Sequence, residues 1–257
     1  MRKLVAAGAM ALGIATLPVT AAHAGPGWIV AVKASATTVN VGQKVTFTGT
    51  VRPRAAAAGL SVVLQEKSQP GAPWKDQVKD KINRRGKYSL ADTPTKNMLH
   101  AYRVVMPATD RHAKGVSKTV KVNVYDWVPL VSLDGVNAQE VRFGSVDING
   151  TTYKDSVTAS YAGSSSSIEF NLDHQCDKLR STFGISDDST TGGQAEVGVL
   201  SDGTSVYDTT FDLGQSEKRT VSLDKPLKIK LLAADTTTDP TIDGYGAFGD
   251  PQVRCTQ

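Results

Sequence analysis

Short segments of alternating apolar and polar residues follow one another from residue 25 onward, and no segment shows a convincing helical period. Residues 39–51 (VNVGQKVTFTGTV) alternate around β-branched side chains, which is typical of a half-buried strand. Similar segments at 60–65, 85–90, 101–105 and 117–124 predict about seven strands in the first half. Strands of this number and spacing indicate a β-sandwich.

The second half continues the all-β pattern, with turns of distinctive composition. Asn149-Gly150 is a strong hairpin-turn signal, and Ser201-Asp202-Gly203 predicts a second turn. We expect short strands at 141–148, 151–153, 167–172, 179–185, 196–200, 206–207, 220–223, 227–232 and 252–255. The predicted fold class is therefore all-β, with one sandwich following another.

Charge divides the chain near residue 127. Residues 25–127 contain 17 lysines and arginines against 6 aspartates and glutamates, whereas residues 128–257 contain 10 against 19. The three tryptophans, Trp28, Trp74 and Trp127, all lie in the basic part. We therefore expect two domains of ordinary size, 25–127 and 128–257.

The first 24 residues have the pattern of a secretory signal peptide: a basic start, an apolar run and the small-x-small sequence Ala22-His23-Ala24. No later apolar run approaches the roughly 20 residues that a membrane span needs. We expect a secreted, extracellular protein without a membrane span. Because exported proteins oxidise paired thiols, Cys176 and Cys255 are predicted to form a disulfide.

The strand sequences of residues 25–127 resemble bacterial Ig-like domains that are common in exported actinobacterial proteins. The resemblance rests on VNVGQKVTFTGTV, GLSVVLQEK, RRGKYSL and AYRVV. It implies an Ig-like sandwich that acts as a spacer or adhesive module and carries no catalytic residues.

Three segments of the second half resemble the NPCBM family, a carbohydrate-binding module of secreted bacterial glycosidases. They are TFGISDD at 182–188, SDGTSVYD at 201–208 and AFGDPQV at 247–253. The resemblance covers the chain from residue 131 to the end. It implies a jelly-roll-like, galactose-binding-like sandwich that binds an extracellular or cell-wall glycan.

Sugar-binding domains stack aromatic rings on sugar C–H faces and bind hydroxyl groups with carboxylates or amides presented by loops. The candidates are Tyr161, Asp187, Asp188, Tyr245, Phe248 and Asp250. The family often has Thr-His-Ala where this chain has Thr-Ala-Ser at 158–160, and a Trp where it has Phe248. An alternative is therefore a structural or protein-interaction protein whose second sandwich has lost sugar binding.

The segment at 235–244 is acidic, rich in oxygen-bearing side chains and turn-forming. Calcium prefers several carboxylate and carbonyl oxygens presented by a bent loop. Structural calcium is accordingly a candidate cofactor, with Asp235, Asp239, Asp243 and Asp250 as ligands. The alternative is a solvated loop held by Asx turns.

Other functions find little support in the sequence. No nucleophile elbow, zinc-protease motif, phosphate loop or dinucleotide fingerprint is present, so we expect no enzymatic activity. The densest basic cluster, at residues 79–87, carries no nucleic-acid motif, and no nucleic-acid partner is expected. We interpret this cluster as a solvated face; the alternative is a weak, salt-sensitive attraction to anionic wall polymers.

Overall fold

The computed structural model describes residues 25–68, 71–161, 163 and 165–257, and the predicted signal peptide lies outside these ranges. The described residues form 19 strands, one short α-helix and one 3-10 turn at Leu130–Ser132. Among these residues, no helix has the length and hydropathy of a membrane-spanning segment. The fold is all-β, as the sequence predicts.

The elements of the first half are β1 (Ile29–Ala34), β2 (Thr38–Asn40), β3 (Val45–Arg52), α1 (Arg54–Ala57), β4 (Ser61–Lys67), β5 (Lys75–Lys81), β6 (Lys87–Asp92), β7 (Leu99–Met106), β8 (Gly115–Val116) and β9 (Val120–Pro129). One sheet has the order β1-β3-β6. The other half of this sandwich is a sheet in which β9, β7, β4 and β5 are neighbours. Their inward faces enclose an apolar core around Phe47, Leu64 and Tyr102. The Ig-like assignment of this half stays a prediction.

The interior of the first sandwich also holds polar side-chain contacts. His100 is 5% exposed, and its Nδ1 lies 2.8 Å from Oε1 of Glu66 while its Nε2 lies 2.9 Å from the carbonyl oxygen of Lys96. The Tyr102 hydroxyl donates to the Asp92 carboxylate at 2.7 Å. These contacts connect neighbouring segments through buried or half-buried polar groups.

The strands of the second half are β10 (Gly135–Gln139), β11 (Val141–Ile148), β12 (Thr151–Ala159), β13 (Ser165–Asn171), β14 (Cys176–Ile185), β15 (Gln194–Ser201), β16 (Thr204–Asp212), β17 (Ser216–Ser222), β18 (Lys228–Asp235) and β19 (Gly246–Cys255). One sheet has the order β10-β13-β18-β15-β16. It faces a second layer in which β12, β19, β14 and β17 are neighbours. Phe170, Phe183 and Phe248 belong to the shared core. This arrangement is a β-sandwich.

Strand β9 belongs to both halves. Its first part pairs with β7, including His100 opposite Val122, and its last part pairs with β19, where Trp127 faces Arg254 and Val128 faces Val253. The predicted boundary between domains therefore falls inside a continuous strand. No irregular linker separates the two sandwiches at this point.

The turn predictions are confirmed more closely than the strand lengths. Asn149 and Gly150 both have positive φ, 48° and 73°, as the tight β11–β12 hairpin requires. The single strand predicted at 39–51 is instead two strands, because the chain turns at Gly42 with φ 78°. The last strand begins at Gly246, earlier than predicted.

Candidate functional site

Three connections meet at one end of the second sandwich: the β11–β12 hairpin, the segment after β14 and the segment before β19. Asp187 joins the first two, because its carboxylate accepts hydrogen bonds from the backbone N–H groups of Asn149 and Gly150, both at 2.8 Å. Each carboxylate oxygen thus binds one N–H group of the hairpin turn. The predicted sugar ligand Asp187 lies at this end, where it holds the hairpin in place.

Four residues lie near one another at this end, because Arg142 contacts Asp188 and the charges of Arg142 and Asp243 act on Tyr245; we call these four residues the loop surface. The Nη2 of Arg142 donates to Oδ2 of Asp188 at 3.1 Å, and the two side chains are 49% and 72% exposed. The Tyr245 hydroxyl donates to Oδ2 of Asp243 at 3.4 Å, and the Tyr245 N–H donates to Oγ of Ser189 at 3.0 Å. Two of the predicted sugar ligands, Asp188 and Tyr245, therefore belong to one surface.

The charges of the loop surface act on the Tyr245 hydroxyl. Burial raises its pKa, the Asp243 carboxylate raises it further, and the Arg142 guanidinium opposes this rise. Since the ordinary pKa of tyrosine is about 10, the hydroxyl remains a donor at neutral pH. The surface thus presents guanidinium and hydroxyl donors, carboxylate acceptors and one aromatic ring, which are the groups that bind a polyol.

Tyr161 is a further predicted sugar ligand, and it lies in a turn. It is 67% exposed in the turn that follows β12. In the same turn, the Gly163 N–H donates to Oδ2 of Asp235 at 3.1 Å, and the Gly244 N–H donates to the same oxygen at 3.2 Å. Asp235 therefore ties the turn that carries Tyr161 to the residue that precedes Tyr245.

Phe248 and Asp250 lie apart from the loop surface, because both belong to the interior of β19. Phe248 is 2% exposed and packs edge-on against Phe183, with ring centroids 5.8 Å apart. Its ring belongs to the core and offers no face to a sugar. Asp250 is exposed on the strand, and its Oδ1 accepts from the Asp155 N–H at 3.0 Å. The sequence predicts a last strand at 252–255, which would leave both residues before it, but the strand begins at Gly246 and contains them.

The four aspartates predicted as calcium ligands mostly accept hydrogen bonds from neighbouring segments. Asp235 holds two turns, Asp239 accepts from the N–H and hydroxyl of Thr241, and Asp243 faces Tyr245. Within the described ranges, no three His, Cys, Asp or Glu side chains are arranged to hold a metal ion. Calcium binding stays a prediction.

A second surface lies on the outer face of β12, β14, β17 and β19. It is a groove of about 270 Å³, and we call it the sheet groove. Its lining includes Tyr153, Arg180, Lys218, Asp250 and Gln252. Of these residues, the sequence indicated only Asp250 as a candidate ligand. The strand register that places Arg180 opposite Gln252 cannot be deduced from the local sequence pattern.

The predicted disulfide is confirmed. Cys176 at the start of β14 is bonded to Cys255 at the end of β19, and the two residues are directly opposite each other in the sheet. Beside them, the guanidinium of Arg254 donates to both carboxylate oxygens of Asp177, with Nε 2.8 Å from Oδ1. The disulfide and this ion pair close the sheet at the end next to the first sandwich.

A sequence profile described as the NPCBM/NEW2 domain matches residues 114–254, more than half of the chain. This chain belongs to the NPCBM/NEW2 family. The matched residues include β9 and every residue of the loop surface and the sheet groove. The chain matches no curated protein.

Several solved carbohydrate-binding modules are similar to this chain. A Clostridium perfringens ZmpB structure of CBM51-2 and INT domains in complex with GlcNAc is 15% identical, with a TM-score of 0.43, over 63% of this chain and 38% of that chain. The CBM51 of C. perfringens GH95 in complex with methyl-galactose is 19% identical, with a TM-score of 0.42, over 50% and 99%. CBM36 in complex with calcium and xylotriose is 14% identical, with a TM-score of 0.31, over 50% and 98%. The chain thus spans well under half of the ZmpB structure.

Proposed function

We propose that this protein is an extracellular, non-catalytic carbohydrate-binding protein, and that its second sandwich binds a glycan at the loop surface. Membership of the NPCBM/NEW2 family is the observation that carries the proposal. The first sandwich acts as an Ig-like spacer or adhesive module. The Cys176–Cys255 disulfide supports an extracellular location, because such bonds persist in oxidising compartments.

The chemistry of the loop surface fits a sugar with several hydroxyl groups. Arg142 and the Tyr245 hydroxyl supply donors, Asp188 and Asp243 supply acceptors, and the Tyr245 ring offers an apolar face to sugar C–H groups. Tyr161 adds a second exposed ring. A small, exposed site of this kind gives weak binding, with a dissociation constant of roughly 0.1 to 1 mM, or about 4 to 5.5 kcal/mol.

The first test is an array of extracellular and cell-wall glycans probed with the full chain, with and without calcium. Calorimetric titration of any glycan that binds then compares wild type with Tyr245→Ala and Asp188→Ala. We expect each substitution to weaken binding about tenfold, because each removes direct sugar contacts. Tyr245→Phe retains the ring and should have the smaller effect.

The matched control is Asp134→Ala, which removes one exposed carboxylate just before β10, at the opposite end of the same sandwich. It should bind as wild type does. Circular dichroism must show that all variants are folded. If the Tyr245 and Asp188 variants both bind normally, the glycan site lies elsewhere.

The second candidate function is a structural or protein-interaction role without sugar binding. The observation that favours it is the burial of Phe248, because an aromatic side chain at this position is not available to a ligand. Failure of the wild-type chain to bind any glycan of a broad array would support this candidate.

A further inference from the structure

Arg180 in the sheet groove is held in one orientation by its neighbours. Its Nε and Nη2 donate to Oε1 of Gln252 at 3.1 and 2.6 Å, and its guanidinium carbon lies 4.2 Å from the centroid of the Trp127 ring. No carboxylate among the described residues forms an ion pair with it. Arg180 therefore presents a positioned positive charge with unused N–H donors.

Tyr153 forms an aromatic wall of the same groove. Its half-buried ring lies directly over Gly249, where a Cβ atom would come within 2.6 Å of the tyrosine Cγ. A side chain at position 249 would therefore displace the ring. The glycine allows Tyr153 to lie against β19, and Tyr153 lines the groove.

The remaining charged groups of the groove leave it cationic. Lys218 on β17 is exposed, and its strand position is opposite Thr182 of β14. Asp250 supplies one negative charge, but its Oδ1 already accepts from the Asp155 N–H at 3.0 Å. The groove therefore contains two positive side chains, Arg180 and Lys218. It contains one carboxylate, that of Asp250, and one oxygen of this group already accepts a backbone hydrogen bond.

We propose that the sheet groove is a second binding site, which takes one acidic sugar unit through its carboxylate. The carboxylate pairs with the Nη1–Nη2 edge of Arg180, because Gln252 already occupies the Nε–Nη2 edge, and Lys218 adds a second positive charge. The sugar ring lies against Tyr153, with Asp250 and Gln252 near its hydroxyl groups. The volume of about 270 Å³ is slightly below the roughly 300 Å³ at which pockets for drug-sized molecules begin, so it suits a single sugar unit.

This site is separate from the loop surface and does not depend on the proposed function. The experiment titrates the full chain with glucuronic-acid and galacturonic-acid oligosaccharides and with their neutral counterparts, followed by NMR chemical shifts. We expect the acidic sugars to perturb resonances of β14 and β19, and the neutral sugars to bind at least about tenfold more weakly. Binding should weaken as salt rises, because the groove is solvent-exposed.

Arg180→Gln should weaken binding of the acidic sugars by about tenfold or more, and Arg180→Lys, which retains the charge but loses the fork, by less. Lys218→Glu provides a second variant at an exposed position, should Arg180→Gln fail to fold. Lys230→Ala, on the other sheet, and Tyr245→Ala, on the loop surface, should leave this binding unchanged.

Four results would overturn the proposal. The first is that no acidic sugar binds wild type, and the second is that folded Arg180→Gln or Lys218→Glu binds as wild type does. The third is tighter binding of phosphate-bearing or sulfate-bearing sugars, which would reassign the groove to tetrahedral anions. A loss of binding confined to Tyr245→Ala would count against the sheet groove and for the loop surface alone.

Discussion

The two sandwiches share an architecture but differ in the contacts that supplement their apolar cores. The first contains a buried imidazole, His100, which contacts the Glu66 carboxylate and a backbone carbonyl. The second encloses a core built around Phe170, Phe183 and Phe248, and its neighbouring strands β14 and β19 are joined by the disulfide. Both sandwiches enclose an apolar core, which buried polar contacts supplement in the first and a covalent bond between strands supplements in the second.

The largest difference should appear when the disulfide is removed. In the chain-entropy description, closing a loop between residues separated by 79 positions stabilises the folded state by about 4 to 5 kcal/mol. We expect Cys176→Ala with Cys255→Ala, or reduction of wild type, to lower the stability of the second sandwich by an amount approaching this value. Hydrogen exchange followed by mass spectrometry reports on each half separately, and the exchange rates in β1–β7 should change little. Equal loss of protection in both halves would contradict the comparison.

The matching change in the first sandwich is His100→Phe. Both ring nitrogens of His100 face acceptors, so the substitution leaves the half-buried Glu66 carboxylate and the Lys96 carbonyl without this partner. We expect the free energy of unfolding to fall by about 2 to 4 kcal/mol, measured by urea denaturation. Adding Glu66→Gln to His100→Phe should recover part of this loss. If His100→Phe is as stable as wild type, the contact between His100 and Glu66 does not contribute to stability.

A smaller effect is expected at the hairpin end of the second sandwich. Asp187→Ala removes the acceptor for the N–H groups of Asn149 and Gly150. We expect a loss of about 1 to 2 kcal/mol, with faster hydrogen exchange confined to residues 141–159. Asp187→Asn retains one carbonyl acceptor and should lie between the alanine variant and wild type. Exchange that is unchanged in both variants would mean that the hairpin is held by its turn sequence alone.

The smallest effect concerns pH and Asp235. Partial burial acts to raise the pKa of this carboxyl, but hydrogen bonds from Thr237, Gly244 and Gly163 outweigh it and hold the pKa below the ordinary value. A lowered pKa means that the charged form stabilises the fold above the ordinary pKa of about 4, and that this contribution is lost as the pH falls further. Because the group is partly exposed, we expect at most about 0.5 kcal/mol.

The measurement for Asp235 is the denaturation midpoint of wild type and Asp235→Asn between about pH 2 and pH 7. The difference between them should shrink as the pH falls below 4, where the wild-type side chain becomes neutral as well. A difference that is constant with pH would contradict the role of the Asp235 charge.

Local chemistry made some features predictable from the sequence. Asn149-Gly150 and Asp202-Gly203 form tight turns because these residues tolerate positive φ. The disulfide followed from the presence of only two cysteines in a chain with an export signal pattern. These predictions required no knowledge of distant contacts.

Long-range register was not predictable. Gly249-Asp250-Pro251 has the composition of a turn, yet it lies inside β19, which takes Phe248 into the core and separates Asp250 from the loop surface. Likewise, Arg180 meets Gln252 and Trp127 only because β14, β19 and β9 are neighbours with one particular alignment. Such alignments are set by packing over the whole sheet rather than by any short segment.

The continuity of β9 has a mechanical consequence. Because this strand pairs with β7 at one end and with β19 at the other, bending one sandwich against the other would break backbone hydrogen bonds instead of rotating a free linker. Tension applied through the first sandwich is therefore transmitted to β19, the strand that also carries Asp250 and Gln252. If the protein is anchored by one half, the shared strand fixes the orientation of the other half relative to the anchor.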